Sequence, residues 1–312
     1  MIKYFDFESS LELLEKKFES LDQNKSNNSK IIDSLNQEKE QLYKTIYSNL
    51  SAWQKVQVAR HSSRPHTMDY INTIFEDVVF LHGDKKYADD RAIVGCLAKI
   101  SDFSLIIIGT EKGNSMDSRI NHNFGMAKPE GYRKAQRLMK IAEKFNLPII
   151  TFVDTAGAFP GKEAEERGQS ESIASSILVS LKVKTPIISI IIGEGGSGGA
   201  IGLATADKTL MLQHAIYSVI SPEGCASILW RSTDFTQKAA ETLKLTSEDC
   251  FKFKIIDEII EEIPGGAHRF PKEQALILKK SILNSLQSLK KISIEELINI
   301  RREKYLNITS NI

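Results

Sequence analysis

The chain has 312 residues, 41% of them apolar and 26% charged, with a formal net charge of +1. That balance fits a globular protein of one large or two smaller domains with a sizeable core, and it gives no reason to expect a polyanion partner. No apolar run reaches the roughly 18 residues of a membrane helix. The N-terminal MIKYFDFESSLELLEKKFESL mixes charge into every turn and has no signal-peptide core, so a cytoplasmic protein without membrane contact is expected. Cys96, Cys225 and Cys250 form no C-x-x-C pair, and the histidines show no H-E-x-x-H spacing. No metal site, zinc ribbon or redox motif is expected; the three thiols are expected to be buried.

Up to about residue 60 the chain reads as helical and polar. Leu11, Leu14, Phe18 and Leu21 recur at spacings of three and four, the stripe of an amphipathic helix. NKSNNSK at 24–30 is a turn or linker, and a second helix is expected over 31–49. The pair is expected either to pack as a hairpin on the main domain or a partner, or to stand as a solvated arm. Arg60, His61, Arg64 and His66 then cluster, expected as a solvated basic face rather than a phosphate contact. Thr67 is placed to cap a helix carrying Tyr70, Ile71, Ile74 and Phe75. Strand-like runs follow at 92–100, 103–109, 147–153, 185–192, 209–220 and 254–260. Several are nearly continuous in Ile and Val, as in strands covered on both faces. Helical stretches at 129–145, 162–181 and 222–230 lie between them. An α/β fold of βαβ units with right-handed crossovers is therefore expected. After Pro271 two amphipathic helices are expected. The expected division is a helical arm over 1–60, an α/β domain over 61–270 and C-terminal helices over 271–312.

The strongest local signal is GEGGSGGA at 193–200, five glycines in seven positions, after the strand-like TPIISIII and before a helix-compatible AIGLATA. Glycine admits positive φ and lets a ligand lie against backbone N–H groups. At a helix N-terminus those groups are unpaired and the dipole favours negative charge, which suits a phosphate or an oxyanion. The structural alternative is a glycine turn packing helix against strand. Three motifs overlap here. Read as G-x-G-x-x-G, Gly193, Gly195 and Gly198 lack the acidic residue expected about 20 positions later. Read as a phosphate loop, the segment lacks the G-K-S/T ending. Read as G-x-S-x-G, it makes Ser197 a nucleophile on an elbow, with Asp257 and His268 following in hydrolase order. A serine hydrolase therefore stands as a rival.

DTAGAFPG at 154–161 follows the strand-like LPIITFV and precedes a helix. Glycine turns after two strands are expected to meet at the carboxyl edge of one sheet, where α/β proteins place ligands. Asp154 reads as a turn cap or as a catalytic acid or base, the cap being the commoner. SPEGCA at 221–226 places Ser at a cap and Pro at the first helical position, a strong helix start; a ligand role there is secondary.

These segments carry a resemblance. YADDRAIVG, NFGMAKPEGYRKAQRLMKIAEKF, LPIITFVDTAGAFPG, AEERGQS, IIGEGGSGGA, YSVISPEGCASILW and GGAHR, in this order, are similar to the carboxyltransferase alpha-subunit family of multisubunit acetyl-CoA carboxylases. The likeness runs from about 60 to 269 and extends loosely to both ends. It implies a crotonase-like fold, a spiral of ββα units, over 61–270. It implies transfer of a carboxyl group from carboxybiotin to acetyl-CoA, giving malonyl-CoA for fatty acid biosynthesis. The implied partners are a beta subunit with a zinc ribbon and the acetyl-CoA thioester site, a biotin carboxyl carrier protein and an ATP-using biotin carboxylase. An assembly of two alpha with two beta subunits is the expectation. No covalent cofactor is expected on this chain, since Met139-Lys140, its loose likeness to a biotin site, falls in a predicted helix. A non-catalytic scaffold subunit is a third alternative.

The implied chemistry develops negative charge on an enolate and on the biotin ureido oxygen, and one backbone donor at such a charge is worth about 3–4 kcal/mol. By match, the N–H groups of Gly195 and Gly196 are expected to hold the biotin oxygen. Gly157, Ala158, Phe159, Gly198, Gly199, Ser221, Pro222 and Glu223 are expected to line the substrate site. The sequence also departs from the family pattern. Members usually carry basic residues where it has Asn114, Asn121 and His122, and typically Gln at Glu111, Tyr at His66 and Pro at Ala156. The lost positive charge bears on affinity for CoA or the carrier and leaves the glycine segment untouched.

Overall fold

The computed structural model describes residues 3–19 and 29–308. Leu21 of the expected stripe and residues 24–28 of the expected linker lie outside the described residues. In chain order the strands are β1 (Glu76–Phe80), β2 (Ile93–Ile100), β3 (Phe103–Thr110), β4 (Ile149–Thr155), β5 (Ile187–Gly196), β6 (Lys208–Leu212), β7 (Ile216–Ser218) and β8 (Glu258–Ile260). The helices are α1 (Ser9–Glu19), α2 (Ser29–Tyr47), α3 (Ala52–Ala59), α4 (Thr67–Ile74), α5 (Met116–Asn121), α6 (Pro129–Lys144) and α7 (Lys162–Glu166). They continue as α8 (Gln169–Lys182), α9 (Ser197–Ala204), α10 (Pro222–Trp230), α11 (Thr236–Thr242), α12 (Ser247–Lys252), α13 (Pro271–Leu289) and α14 (Ile294–Asn307).

One sheet organises these elements, in the order β1-β2-β3-β4-β5-β6-β8, with β7 added to β5. β1, β2 and β3 pair antiparallel, and every later pairing is parallel. β4 and β5 are buried along their whole length, as their Ile- and Val-rich runs require. α6, α8 and α9 pack on one another and on β2 to β5, while α4 and α13 pack together against β4, β5 and β8. Each Ile or Leu buried in these layers contributes about 1.5–3 kcal/mol.

Several expectations need correction. The run at 209–220 is two strands, because the chain turns at 213–215: β6 pairs with residues 188–191 of β5 and β7 with residues 194–196. The helix expected over 162–181 breaks at Gly168, whose φ is +81°. The run at 254–260 is strand only from Glu258; Ile255 and Ile256 instead donate to the Cys250 carbonyl. Thr67 does not cap α4: His66 is the N-cap, the Asp69 carboxylate accepts its N–H, and the Thr67 hydroxyl donates to the Thr110 carbonyl. β1 went unseen because it is a largely exposed strand at the edge of the sheet. The three cysteines are buried and free, and burial pushes the thiols of Cys96 and Cys250 up to about 12.

The N-terminal helices are not solvated on all sides. α1 packs on α2, and Tyr43 and Tyr47 of α2 are buried. The Tyr47 hydroxyl donates to Glu8 at 2.6 Å and lies 3.3 Å from His268 Nε2, while Arg269 pairs with Glu8 at 2.8 Å. The arm is thereby tied to the segment leading into α13. At the other end of the chain, the fully buried Arg301 of α14 pairs with Asp207 and donates to the carbonyls of Ser180, Val183 and Thr185.

The arm joint has a pH dependence. The His268 ring is 4.2 Å from that of His61. Burial, then His61 and the Arg269 and Arg64 cations, push His268 down to about 2. Burial also lowers His61 and His214. An unfolded chain takes up these protons near pH 6.5 and the folded chain does not. This contribution is complete above about 6.5 and is lost as pH falls toward 2, at about 1.4 kcal/mol per pH unit for His268 alone. Calorimetry should show the thermal midpoint falling between pH 7.5 and 5.5, with a shallower fall in His268→Leu. Equal slopes in the two proteins would remove His268 as a source.

Candidate active site at the carboxyl ends of β4 and β5

β4 and β5 are neighbours, so their carboxyl ends bring the two glycine-rich segments together. Gly195 pairs with Thr155 of β4 on one side and Tyr217 of β7 on the other, and Gly196 lies opposite Ser218. The segment at 193–196 is therefore strand, and α9 begins at Ser197. This corrects the expected loop of positive-φ glycines: Gly196 has φ −97°, and the left-handed residue is Ser197 at +53°. Glycine is required here for close approach. A Cβ on Gly196 would lie 2.1 Å from the Ala156 carbonyl oxygen, and one on Gly199 would lie 2.5 Å from the Ala158 nitrogen. At Gly157, by contrast, no atom lies within 4 Å of the Cβ position.

α9 has no side-chain cap at Gly196, so its first-turn N–H groups are left for another acceptor. Ser197 is exposed and Gly198 half-buried, and the helix dipole favours negative charge there. Ser197 also borders an apolar cavity of about 280 Å³, together with Ile201, Tyr217, Val219 and Tyr305. Phe159 is held from the far side: its N–H donates to the Ala127 carbonyl, Gln169 donates to its carbonyl, and the Lys128 ammonium sits 4.8 Å above its ring. Ser221 caps α10 by accepting from the Gly224 N–H at 3.1 Å, with Pro222 in the first turn.

Beneath the strand ends lies a network of buried charges. Asp154 is 1% exposed. Its Oδ1 accepts from Lys112 at 2.7 Å and from the Glu194 N–H at 3.0 Å, and its Oδ2 lies 2.7 Å from His66 Nδ1. Burial alone would raise this carboxyl; the Lys112 charge and the His66 hydrogen bond outweigh it and hold the group well below the carboxylate range. Burial would lower Lys112, but Asp154 and Glu194 hold its ammonium above the usual lysine range. Arg60 donates to Glu194 at 2.6 and 2.9 Å and to Glu223 at 2.7 Å, linking the end of α3 to β5 and α10. Arg60 thus bridges the two carboxylates, Glu194 and Glu223.

Two expectations fail here. Arg60, His61, Arg64 and His66 are not a solvated face: Arg60 is partly covered and the other three are buried. Arg64 forms a two-point pair with Glu262 and donates to the Ile192 carbonyl. The reason is that carboxylates lie within reach of Arg60, Arg64 and His66, while the His61 ring bonds the Lys3 carbonyl. Asp154 is not a turn cap either, because its acceptors are used on β5, Lys112 and His66. Lys112 and Glu194 belong to this network without being among the expected site residues. Glu194 had a signal, as the one charged residue between Thr185 and Asp207; Lys112, just past the end of β3, had none.

The hydrolase residues do not meet. Asp257 accepts from the Thr209 N–H and from Lys304, while His268 sits in the arm joint beside Tyr47 and His61. Among the departures, Glu111 is buried, accepts from the N–H groups of Met68 and Gly113, and is raised by burial. Asn114 and Asn121 are exposed, and the His122 ring nitrogen Nδ1 lies 2.7 Å from the Ser118 carbonyl.

The profile of the acetyl co-enzyme A carboxylase carboxyltransferase-like family matches residues 4–309. The acetyl-coenzyme A carboxylase carboxyl transferase subunit alpha of Paramagnetospirillum magneticum is 50% identical over 97% of both chains. The subunit of the same name from Rhodospirillum centenum is 50% identical over 98% of both. This chain belongs to the acetyl co-enzyme A carboxylase carboxyltransferase-like family. Solved structures agree on the fold. A transcarboxylase 12S structure superposes with a TM-score of 0.60 at 17% identity, covering 76% of this chain and 44% of that one. The beta subunit of Pseudomonas aeruginosa geranyl-CoA carboxylase superposes at 0.57 with 14% identity, covering 80% and 45%. The chain thus spans less than half of each of those proteins. The α/β fold is crotonase-like, as expected for this carboxyltransferase family.

Packing decides which glycines of the family segment accept a side chain. A Cβ at Gly198 would make ordinary contacts, 3.7 Å from Ile173. Gly198→Ala should fold normally and be as stable as the parent or more so by up to about 1 kcal/mol, since alanine favours helix. Gly196→Ala, which drives a methyl into main chain, should lose several times that. Urea unfolding of the two variants measures the contrast; similar stabilities would contradict the close approach.

Proposed function

We propose that this chain is the alpha half of an acetyl-CoA carboxyltransferase, moving a carboxyl group from carboxybiotin to acetyl-CoA to give malonyl-CoA in fatty acid biosynthesis. The observation that carries the reading is half-identity over nearly the full length of both chains with subunits of that name. The site's chemistry supports it. A strand end and an uncapped helix start present main-chain N–H groups at one edge, as an oxyanion requires. When bound, carboxybiotin supplies the carboxyl group and leaves negative charge on its ureido oxygen.

In this reading Gly195, Gly196 and the first turn of α9 face that oxygen. Gly157, Ala158, Phe159, Gly198 and Gly199 line the approach, with Ser221, Pro222 and Glu223 on the far wall. Gly157, open on its Cβ side, leaves room for a ring against main chain. The second charge, on the acetyl-CoA enolate, falls to a zinc-ribbon beta subunit. Carboxybiotin arrives on a separate carrier protein charged by an ATP-using biotin carboxylase. Two alpha with two beta subunits form the working unit, and the cytoplasm is its compartment. No helix among the described residues is long and apolar enough to cross a membrane.

The test is reconstitution. The purified chain alone should give background rates with carboxylated carrier and acetyl-CoA, and adding the beta partner should produce malonyl-CoA. In the complex, Ser197→Ala should turn over near the parent rate, and a fluorophosphonate should not label Ser197. Gly198→Ala should slow transfer by at least about tenfold, because on this reading its methyl crowds the half-buried helix start where the oxyanion would be held. Steady malonyl-CoA production by this chain alone would refute the divided site, and robust labelling of Ser197 would favour a hydrolase.

A further inference from the structure

The β4–β5 ladder breaks at Asp154. Val153 pairs with Ile191 and the next pair is Thr155 with Gly195, so residues 192–194 of β5 stand opposite the single residue 154 of β4. Such a break leaves main-chain groups without ladder partners and frees the strand end to bend. The Asp154 carboxylate fills the gap: its Oδ1 accepts the Glu194 N–H at 3.0 Å, where a main-chain carbonyl would otherwise serve. The side chain reaches β5 because residue 193 is glycine. A Cβ there would lie 2.5 Å from Asp154 Oδ1.

The carboxylate is itself fixed on every side. Lys112 holds Oδ1 at 2.7 Å, His66 Nδ1 lies 2.7 Å from Oδ2, and the Asp154 N–H donates to the Thr110 hydroxyl at 2.6 Å. Lys112 also reaches Glu194 at 3.4 Å, and Arg60 grips the same Glu194 side chain at 2.6 Å. Both the N–H and the side chain of Glu194 are therefore anchored, one residue before Gly195. A charged acceptor makes the stronger hydrogen bond.

We propose that Asp154 is a positioning residue for carboxyl transfer, its carboxylate standing in for a missing ladder acceptor and fixing where Gly195, Gly196 and the start of α9 aim their N–H groups. The inference rests on reading that strand end as the oxyanion site. Transition-state stabilisation by fixed donors is steep in distance, and a misplacement of about 1 Å can cost about 10²-fold in rate. Asp154 is buried and its carboxylate is taken up by the Glu194 N–H, Lys112 and His66, so its loss should appear in turnover and leave acetyl-CoA affinity alone.

The experiment uses the assembled complex with its beta partner and compares Asp154→Ala, Asp154→Asn, Gly193→Ala and the double variant of Gly193→Ala with Asp154→Ala. Asp154→Ala should lower kcat by about 10²-fold with the acetyl-CoA KM within about twofold of the parent. Asp154→Asn keeps an acceptor oxygen without the charge and should lose about tenfold; it carries the test if the alanine variant does not fold. Gly193→Ala should slow turnover by pushing on Oδ1, and it should add little to Asp154→Ala, where the obstructing carboxylate is gone. A merely structural role predicts lower stability with parental kcat per folded complex, and additive effects. Parental kcat in folded Asp154→Asn, or additive losses in the double variant, would overturn the proposal. Gly198→Ala separates the two levels: if it slows transfer while the Asp154 variants do not, positioning fails and the site reading stands. If none of the variants slows transfer, both fall.

Discussion

At the carboxyl edge of the sheet two stretches of main chain pass so close that no side chain fits between them. The Ala156 carbonyl lies 2.1 Å from where a Cβ of residue 196 would be, and the Ala158 nitrogen 2.5 Å from that of residue 199. Much of the site follows from this contact. Glycine is forced at 196 and 199 by their neighbours, so β5 can run to its last residue beside the turn after β4. The chain must then enter α9 at once, and the left-handed conformation falls on Ser197, a residue type that seldom adopts it. Strain of this kind persists only where the surroundings over-determine it. Here β4 and β7 grip the strand on both sides up to Gly195.

Close packing of main chain brings the charge problem with it. Carboxylates set beneath such an edge would be raised by burial and would protonate unless paired. Asp154 stays ionised because Lys112 and His66 reach it, and Glu194 is covered by Arg60 and Lys112. The same solution recurs where peripheral segments join the sheet. Arg64 is locked between Glu262 and the Ile192 carbonyl, and Arg301 between Asp207 and three carbonyls around the end of α8. Removing one partner from such a buried pair costs about 3–5 kcal/mol, because the other charge is left unpaired. These arginines therefore couple the C-terminal helix, and the chain just before α4, to the strands that carry the site.

The parts of this arrangement legible in the sequence are those with a local cause. Continuous Ile and Val announced β4 and β5, and Ser221 with Pro222 announced the start of α10. Five glycines in seven marked the segment at 193–199, but they did not say whether glycine served φ or proximity. That choice depends on Ala156 and Ala158, some forty residues away, and local pattern carries no such information. The charged cluster at 60–66 was misread for the same reason. Its partners Glu194, Glu262 and Asp154 are remote in sequence, so the cations looked solvated. Lys112 gave no sign at all, being one lysine past a strand end. The break at Gly168 and the turn at 213–215 went unseen because the flanking residues fit a continuous element.

The serine-elbow motif shows what local geometry settles and what it leaves open. Ser197 does sit exposed between a strand and a helix with φ +53°, the backbone setting a nucleophile elbow uses. The same setting turns first-turn N–H groups outward, so it serves an oxyanion as readily as a nucleophile. What separates the two chemistries is which side chains stand beside it. A hydrolase needs an imidazole within hydrogen-bond reach of the hydroxyl and a carboxylate behind the imidazole. Here His268 is held in the arm joint, Asp257 is engaged by Lys304, and the wall next to Ser197 is built from Ile201, Tyr217 and Val219. The buried pair of His66 with Asp154 beneath the strand ends aims its carboxylate at main chain and a lysine. Its charge goes into holding the strand end, and no imidazole–carboxylate couple among the described residues is left to activate Ser197.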